Sequence, residues 1–324
     1  MNNVLVTGGA GFVGSKVVDL LTESYNVSIL DNLLSGPIVD IPPEVTFINL
    51  DIRDKQELKK ILPKYDIIVH LAGVVGFPAC DLDKAESYDI NVFGTKVITD
   101  LLEVDQRFIF ASSTSSYGHQ TIDVTEETPL APLTSYGEHK AEGEKIVYSG
   151  KANWIILRPA TAFGITKRIR LDLLPNTLSF AALTKGIIDL FEPMVIRPFI
   201  HVLDFARIIK HAVDNNMHYN TIYNIGDPNL TMLKHELASY IAEECNAKVI
   251  QRSGFDPDQR NYNISFDRLL STGFKFTPNA LKLGVDQIKA DIQILEQNPN
   301  IFTTPYNFKN YLKEYNHAVS LQYS

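Results

Sequence analysis

The chain has 324 residues, 45% of them hydrophobic and 21% charged, which is ordinary globular composition with room for one large domain or two small ones. A net charge of −8 repels a phosphate-rich polymer, so nucleic acid is excluded as a partner, while a small anion held by local arginines is not. No apolar run is long enough to cross a bilayer, and the start MNNVLVTGG lacks the basic residues and cleavage site of a signal peptide, so a cytoplasmic protein is expected.

In chain order, β-branched runs at Val4–Val6, Val27–Leu30, Thr46–Asn49, Ile67–Leu71, Phe108–Ala111 and Trp154–Leu157 alternate with helical patterns over 12–24, 54–62, 84–104 and 135–149. Short apolar strands that alternate with helices predict a parallel sheet covered on both faces, a doubly wound α/β fold. After Phe163 the rhythm changes. KRIRLDLLPN leads into a helix over 173–185, IIDLFEP and MVIRPFIHV read as strands, and LDFARIIKHAVDN is an amphipathic helix. Further helices are expected over 232–245, 280–296 and 305–316, with strands at Ile222–Ile225 and Lys248–Ile250. The expected division is a nucleotide-binding Rossmann domain over 1–165, with returning segments near 195–215, and a discontinuous, smaller C-terminal α/β substrate domain over 166–324. Neither Cys80 nor Cys245 belongs to a disulfide framework or a metal cluster, and both are expected to be buried thiols. His70 and His201 are expected as hydrogen-bonded core residues, and no His/Asp/Glu spacing predicts a metal. The aromatic stretch PYNFKNYLKEY is expected to pack as a helix on the substrate domain.

VLVTGGAGFVGS places Gly8, Gly11 and Gly14 between the first strand and the first helix. Glycines there allow a tight turn and let backbone approach a pyrophosphate, while free N–H groups around Phe12 and Val13 face the phosphates. Asp31 ends the second strand about twenty residues on, with Asn32 beside it, as a dinucleotide site requires. A carboxylate there receives ribose hydroxyls and repels a 2′-phosphate, so NAD is the expected cofactor. Tyr136 and Lys140 in TSYGEHK are four apart and share a helix face. A neighbouring ammonium stabilises a phenolate, though this pair alone says little.

Together with LDIRD, HLAG, NVFGT, ASSTSSYG and RPFIHVLD, these stretches make the chain resemble, over nearly its whole length, the extended short-chain dehydrogenase/reductases of the nucleotide-sugar epimerase/dehydratase family. The resemblance implies that Asp51 and Ile52 contact adenine, that Leu71, Ala72 and Gly73 line the nicotinamide side, and that Asn91 and Gly94 carry the family's helix signature. It makes Ser113 the donor to the reacting sugar hydroxyl and Tyr136 the general base. Lys140 then lowers the tyrosine pKa and holds the nicotinamide ribose. It also implies a homodimer through the helices over 84–104 and 135–149.

Family members share oxidation of a nucleotide-linked sugar, usually at C4, and differ afterwards. Dehydratases carry an acidic pair after the catalytic hydroxyl and uronic-acid decarboxylases a glutamate in the same run; here Thr114, Ser115 and Ser116 follow Ser113. A C4 epimerase is therefore expected, with a 4-dehydrogenase or 4-ketoreductase as the alternative and a 4,6-dehydratase behind both. RIRLDLLPN, LFEP and GFDPDQRNY are similar to a bacterial subgroup that includes a GDP-heptose 4-dehydrogenase of capsule polysaccharide biosynthesis, which places GDP-linked sugars beside UDP-linked ones. The resemblance assigns the substrate to Asn176, Arg197 and Arg260, then Arg170 and Asp172. Lys167 and Arg168 are read as a solvated basic loop, and Thr161 stands where many epimerases have a substrate-contacting asparagine.

Overall fold

The computed structural model describes residues 1–34, 36, 40–120, 123–254, 261–297 and 302–322, with 314–322 as backbone alone. The first half of the chain contains β1 (Asn3–Thr7), α1 (Phe12–Leu21), β2 (Asn26–Asp31), β3 (Thr46–Asn49), α2 (Lys55–Ile61), β4 (Ile67–His70) and α3 (Phe77–Cys80). It continues through α4 (Lys84–Tyr88), α5 (Gly94–Leu101), β5 (Arg107–Ala111), α6 (Ser135–Tyr148) and β6 (Asn153–Pro159). A π turn, Asp89–Phe93, joins α4 to α5. Beyond it come β7 (Thr161–Phe163), α7 (Leu174–Lys185), β8 (Ile187–Leu190), β9 (Ile196–His201), α8 (Val202–Val213) and β10 (Thr221–Ile225). The rest is β11 (Thr231–Leu233), α9 (Lys234–Cys245), β12 (Lys248–Gln251), α10 (Asp267–Leu270), α11 (Ala280–Gln297) and α12 (Thr304–Gln322).

Seven strands form one sheet in the order β10-β6-β5-β4-β1-β2-β3, every neighbouring pair parallel. Val4, Leu5 and Val6 in β1 and Ile67, Ile68 and Val69 in β4 are fully buried, which is why these runs are apolar on both faces. From β1 the chain winds outward to β2 and β3, then crosses back to β4 and winds the other way. Between β1 and β4 the winding therefore reverses, and a crevice opens at the strand ends. Two further sheets, β11-β9-β7 and β12-β8, belong to the second half together with α7, α9 and α11.

The chain returns to the main sheet after β9. On α8, Phe205, Ile208, Ile209 and Ala212 sit at helical spacing and meet Val17, Val18 and Leu21 of α1 in one core. β10 then pairs with β6 as the outermost strand. Residues 202–213 and 221–225 thus lie against or within the main sheet.

Three expectations change. The C-terminal helix packs on elements of the first half of the chain, not on those of the second. Phe308 is fully buried in the same core as Val74, Ala79, Cys80 and Ile90, and Tyr311, three residues on and on the same face, receives a hydrogen bond from Arg53 Nη2 (3.0 Å) and donates to Glu86 Oε1 (3.1 Å). Cys80 is buried as expected, but Cys245 is only partly so, since it ends α9 beside the chain's turn into β12. Lys167 and Arg168 are not a solvated loop. Lys167 Nζ bonds Asp19 Oδ1 and the Asp40 carbonyl, both at 2.9 Å, and Arg168 lies against Gly36 and beside Asp31.

Candidate active site

One cavity of 440 Å³ runs along the crevice from the glycine turn to α12. Its floor at one end is the turn after β1. A Cβ on Gly8, which has φ of 70°, would stand 2.6 Å from Ala72 N, and one on Gly14 would stand 2.1 Å from the Gly8 carbonyl oxygen. Both positions therefore demand glycine, and the backbone they expose faces the cavity. Asp31 closes this end. Its carboxylate accepts from Ala10 N (3.0 Å) and Leu33 N (2.8 Å). Burial pushes its pKa up, against those two N–H groups and the charge of Arg168. A cradle filled by no side chain, a helix N-terminus and a fixed carboxylate fit a dinucleotide with free ribose hydroxyls.

Gly11, Phe12, Val13, Asn32, Ile52, Leu71, Ala72 and Gly73 all line the same cavity. Asp51 and Asn91 do not, and their side chains have other tasks. Arg53 grips Asp51 through Nε–Oδ1 and Nη2–Oδ2, both 2.9 Å, and Asn32 Nδ2 adds a bond of 3.1 Å. Asn91 brackets Val74: its Oδ1 accepts from Val74 N (2.7 Å) and its Nδ2 donates to the Val74 carbonyl (2.9 Å). These two residues thus shape the loops that line the cavity. His70 is confirmed as a core residue between the hydroxyls of Thr7 and Thr95, with burial pushing its pKa down to about 3; His201 likewise bonds Gln287 and Leu203 N.

Ser113, Tyr136 and Lys140 line the same cavity. Ser113 follows β5, where it donates to Ser115 Oγ (2.9 Å) and accepts from Ser115 N (3.1 Å). Tyr136 stands in the first turn of α6, whose N-cap Thr134 accepts from Gly137 N. Lys140 Nζ donates to the Ala111 carbonyl at 2.7 Å, 5.1 Å from the centre of the Phe110 ring and 6.0 Å from that of Tyr136. Burial lowers its pKa to about 8, opposed by Cys80 and Glu144.

Next to Lys140 in sequence and space lies a buried polar network. Arg158 forks onto Glu144 (Nε–Oε1 2.9 Å, Nη2–Oε2 2.6 Å), and Ser112 Oγ donates to the same Oε1 at 2.5 Å. Arg158 Nη1 also reaches Tyr117 OH at 2.7 Å, and Tyr117 donates to Asn224 of β10 at 2.6 Å. Glu144 lies one helical turn beyond Lys140, so the network holds α6 against β5 and β6.

At the far end Arg170, Asp172 and Arg197 line the cavity. Arg170 forks onto Asp172 at 3.1 and 2.6 Å. Asn176 does not line it. Buried on α7, it bonds Gly164 N and O and the Arg170 carbonyl, and so shapes the loop that carries Arg170. Arg260 lies outside the described residues. Sequence reasoning missed Lys234, Thr177, Thr304 and Pro305, which also line the cavity. Lys234 belongs to an amphipathic helix pattern, and only the pairing of β11 with β9 turns it inward.

A doubly wound sheet with a glycine turn in its crevice and a serine, tyrosine and lysine lining the same cavity defines a short-chain dehydrogenase/reductase. A family model described as the NAD dependent epimerase/dehydratase family matches residues 4–226, and the chain belongs to that family. It is an NAD-dependent enzyme. A UDP-glucose 4-epimerase of Neisseria meningitidis serogroup A is 31% identical over 263 residues, 70% of this chain and 78% of the relative. A Methanocaldococcus jannaschii protein is 40% identical over 151 residues, 44% of this chain and 49% of that one. Among solved structures, the UDP-glucose 4-epimerase of Thermus thermophilus in complex with NAD superposes with a TM-score of 0.77 at 24% identity, over 89% of this chain and 99% of that one. The Thermotoga maritima UDP-glucose 4-epimerase with UDP-glucose gives 0.79 at 22% identity, over 90% and 99%.

Proposed function

We propose that this chain epimerises a nucleotide-linked sugar through oxidation at C4, with Tyr136 as the base. The observation that carries the reading is that Ser113, Tyr136 and Lys140 share one cavity with the glycine turn and Asp31. Bound NAD supplies the acceptor for hydride. Asp31 holds the ribose hydroxyls. Ser113 Oγ bonds the sugar's C4 hydroxyl, Tyr136 Oη takes that hydroxyl's proton and later returns it, and the Lys140 ammonium favours the ionised phenol. Arg170 and Arg197 face the sugar and its diphosphate. On this reading residues 1–165 and the returning segments hold the cofactor, and the remainder holds the substrate.

Epimerisation is favoured over elimination by the distribution of acids. Among the described residues the carboxylates lining the cavity are Asp31, at the ribose end, and Asp172, taken by Arg170. Neither is placed in the serine run, where a dehydratase needs its acid. UDP-linked sugars are the first substrates to test, since relatives over 70% of this chain carry the name UDP-glucose 4-epimerase. The purified protein is incubated with UDP-, GDP-, CDP- and dTDP-sugars, and products are read by NMR in deuterated water. A C4 epimer without deuterium at C3 or C5 is expected; net oxidation with stoichiometric cofactor reduction, or no turnover, overturns the reading.

A homodimer is part of the proposal. Tyr88 and Phe93, from the α4–α5 helical run, and Tyr148 of α6 are 42%, 45% and 42% exposed, and exposed aromatic residues on these helices suit pairing with a second copy. Light scattering behind size exclusion decides it. The proposal also places the protein in the cytoplasm, consistent with its two free cysteines. Among the described residues no helix is long and apolar enough to cross a membrane.

A further inference from the structure

The stretch between β7 and α7, residues 164–173, crosses from one half of the molecule to the other. Its base is fixed on the second half. Gly164 N donates to Asn176 Oδ1 (2.9 Å), Asn176 Nδ2 donates to the Gly164 carbonyl (3.0 Å), and Ile165 N donates to Gln287 Oε1 (3.0 Å). Its tip reaches the first half. Lys167 Nζ bonds Asp19 Oδ1 on α1 and the Asp40 carbonyl beyond β2, both at 2.9 Å, with the Asp40 carboxylate 3.7 Å away. Beside it the Arg168 guanidinium lies over the Gly36 backbone, its Nη1 2.7 Å from where a Cβ would stand. Before and after this tip the chain lines the cavity, with Thr161 and Ala162 on one side and Arg170, Asp172 and Leu173 on the other.

Lys167 joins the two elements that frame the Asp31 end of the crevice. α1 opens with Phe12 and Val13, β2 closes with Asp31, and all three line the cavity. The tie is of a reversible kind. The Lys167 and Asp19 side chains are 27% and 29% exposed, against 3% and 1% for the Arg158–Glu144 fork. A partly solvated ion pair adds little to global stability and is screened by salt. Its effect falls on a local step, the lifting of the loop tip, and not on unfolding. The base of the loop behaves differently. It hangs on neutral hydrogen bonds, two of them to the buried Asn176, which salt does not screen.

We propose that Lys167 is a positioning residue that latches the 164–173 loop onto α1 and the segment after β2, and so slows release of the cofactor. The proposal rests on the reading that the glycine turn and Asp31 hold NAD. It matches the needs of an epimerase, in which the hydride taken from C4 returns to the same sugar and the cofactor has no cause to leave. A net dehydrogenase, by contrast, exchanges its cofactor at every turnover.

The test uses the full chain loaded with NADH. Release is followed in stopped flow as the loss of bound-NADH fluorescence on mixing with excess NAD, for the parent, K167M, D19N, the double variant and K167R. K167M is expected to release NADH about fivefold faster and D19N about threefold faster, the scale of one partly exposed ion pair. The double variant is no faster than K167M, because both changes remove the same pair. K167R stays within about twofold of the parent. Raising salt from about 0.01 M to about 1 M, which shortens the Debye length from about 30 Å to about 3 Å, speeds release from the parent more than from K167M. Melting temperatures stay within about 3 °C of the parent. Release from K167M and D19N within about 1.5-fold of the parent overturns the proposal and leaves the cofactor site intact. So do multiplying effects in the double variant, which mark two unrelated roles. Faster release with a larger fall in melting temperature and no rescue by K167R marks a structural lysine and overturns it too. A parent that binds no NADH overturns the cofactor reading, and this proposal with it.

Discussion

Lys140→Met replaces a buried ammonium by an apolar side chain of similar length. Taking the 6.0 Å between Nζ and the Tyr136 ring centre as the charge separation, and an effective dielectric of about 20, the attraction between ammonium and phenolate is about 2.8 kcal/mol. At 1.36 kcal/mol per decade this is about 100-fold in rate. The assay is kcat/KM against pH for parent and variant, each loaded with NAD. In the parent, burial has lowered the Lys140 pKa to about 8, so the ammonium is present below that pH and lost above it. The parent's kcat/KM therefore declines as pH rises through about 8, and the variant, about 100-fold slower at pH 7, lacks that decline. The same shift has a stability consequence of opposite sign. The folded pKa is below the ordinary 10.5, so the unfolded chain binds more protons between about pH 8 and 10.5, and this group's contribution to stability rises with pH there. Lys140→Met removes that rise. A variant within about threefold of the parent at pH 7, or a parent profile flat from pH 7 to 9.5, refutes the electrostatic role given to Lys140.

Glu144→Gln breaks a fork whose side chains are 3% and 1% exposed and should lower unfolding free energy by about 3–5 kcal/mol in urea titration; a loss under about 1 kcal/mol contradicts a dry ion pair. Asp31→Asn removes the charge proposed to bind ribose while keeping the shape, so calorimetry on cofactor-free protein should show NAD bound about tenfold more weakly and the discrimination against NADP narrowed; unchanged discrimination removes Asp31 from the proposed cofactor site. Phe308→Ala empties a fully buried position under α12 and should cost about 3–5 kcal/mol, read as a fall in melting temperature; a neutral change means that α12 is not anchored there.

What the amino-acid sequence determined by itself is local and periodic. Apolar runs such as Val4–Val6 and Ile67–Val69 could satisfy their chemistry only inside a covered parallel sheet, so the fold class was legible. The glycine spacing, Asp31 and the four-residue step from Tyr136 to Lys140 were legible because turn sterics and helix pitch act over a few residues. The tertiary structure decided which side chains face the cavity and which are committed to neighbours. Asp51 and Asn91 look like ligand residues in their motifs, yet Arg53 and the backbone of Val74 claim their hydrogen bonds. Lys234 falls in a stretch expected only as helix, and lines the cavity through the register of β11 on β9. Phe308 is buried beside α3, in a core built by the first half of the chain, and not among the elements that follow β6. Each of these outcomes depends on partners distant in sequence, and no periodicity or spacing encodes which partner a polar or aromatic group will find.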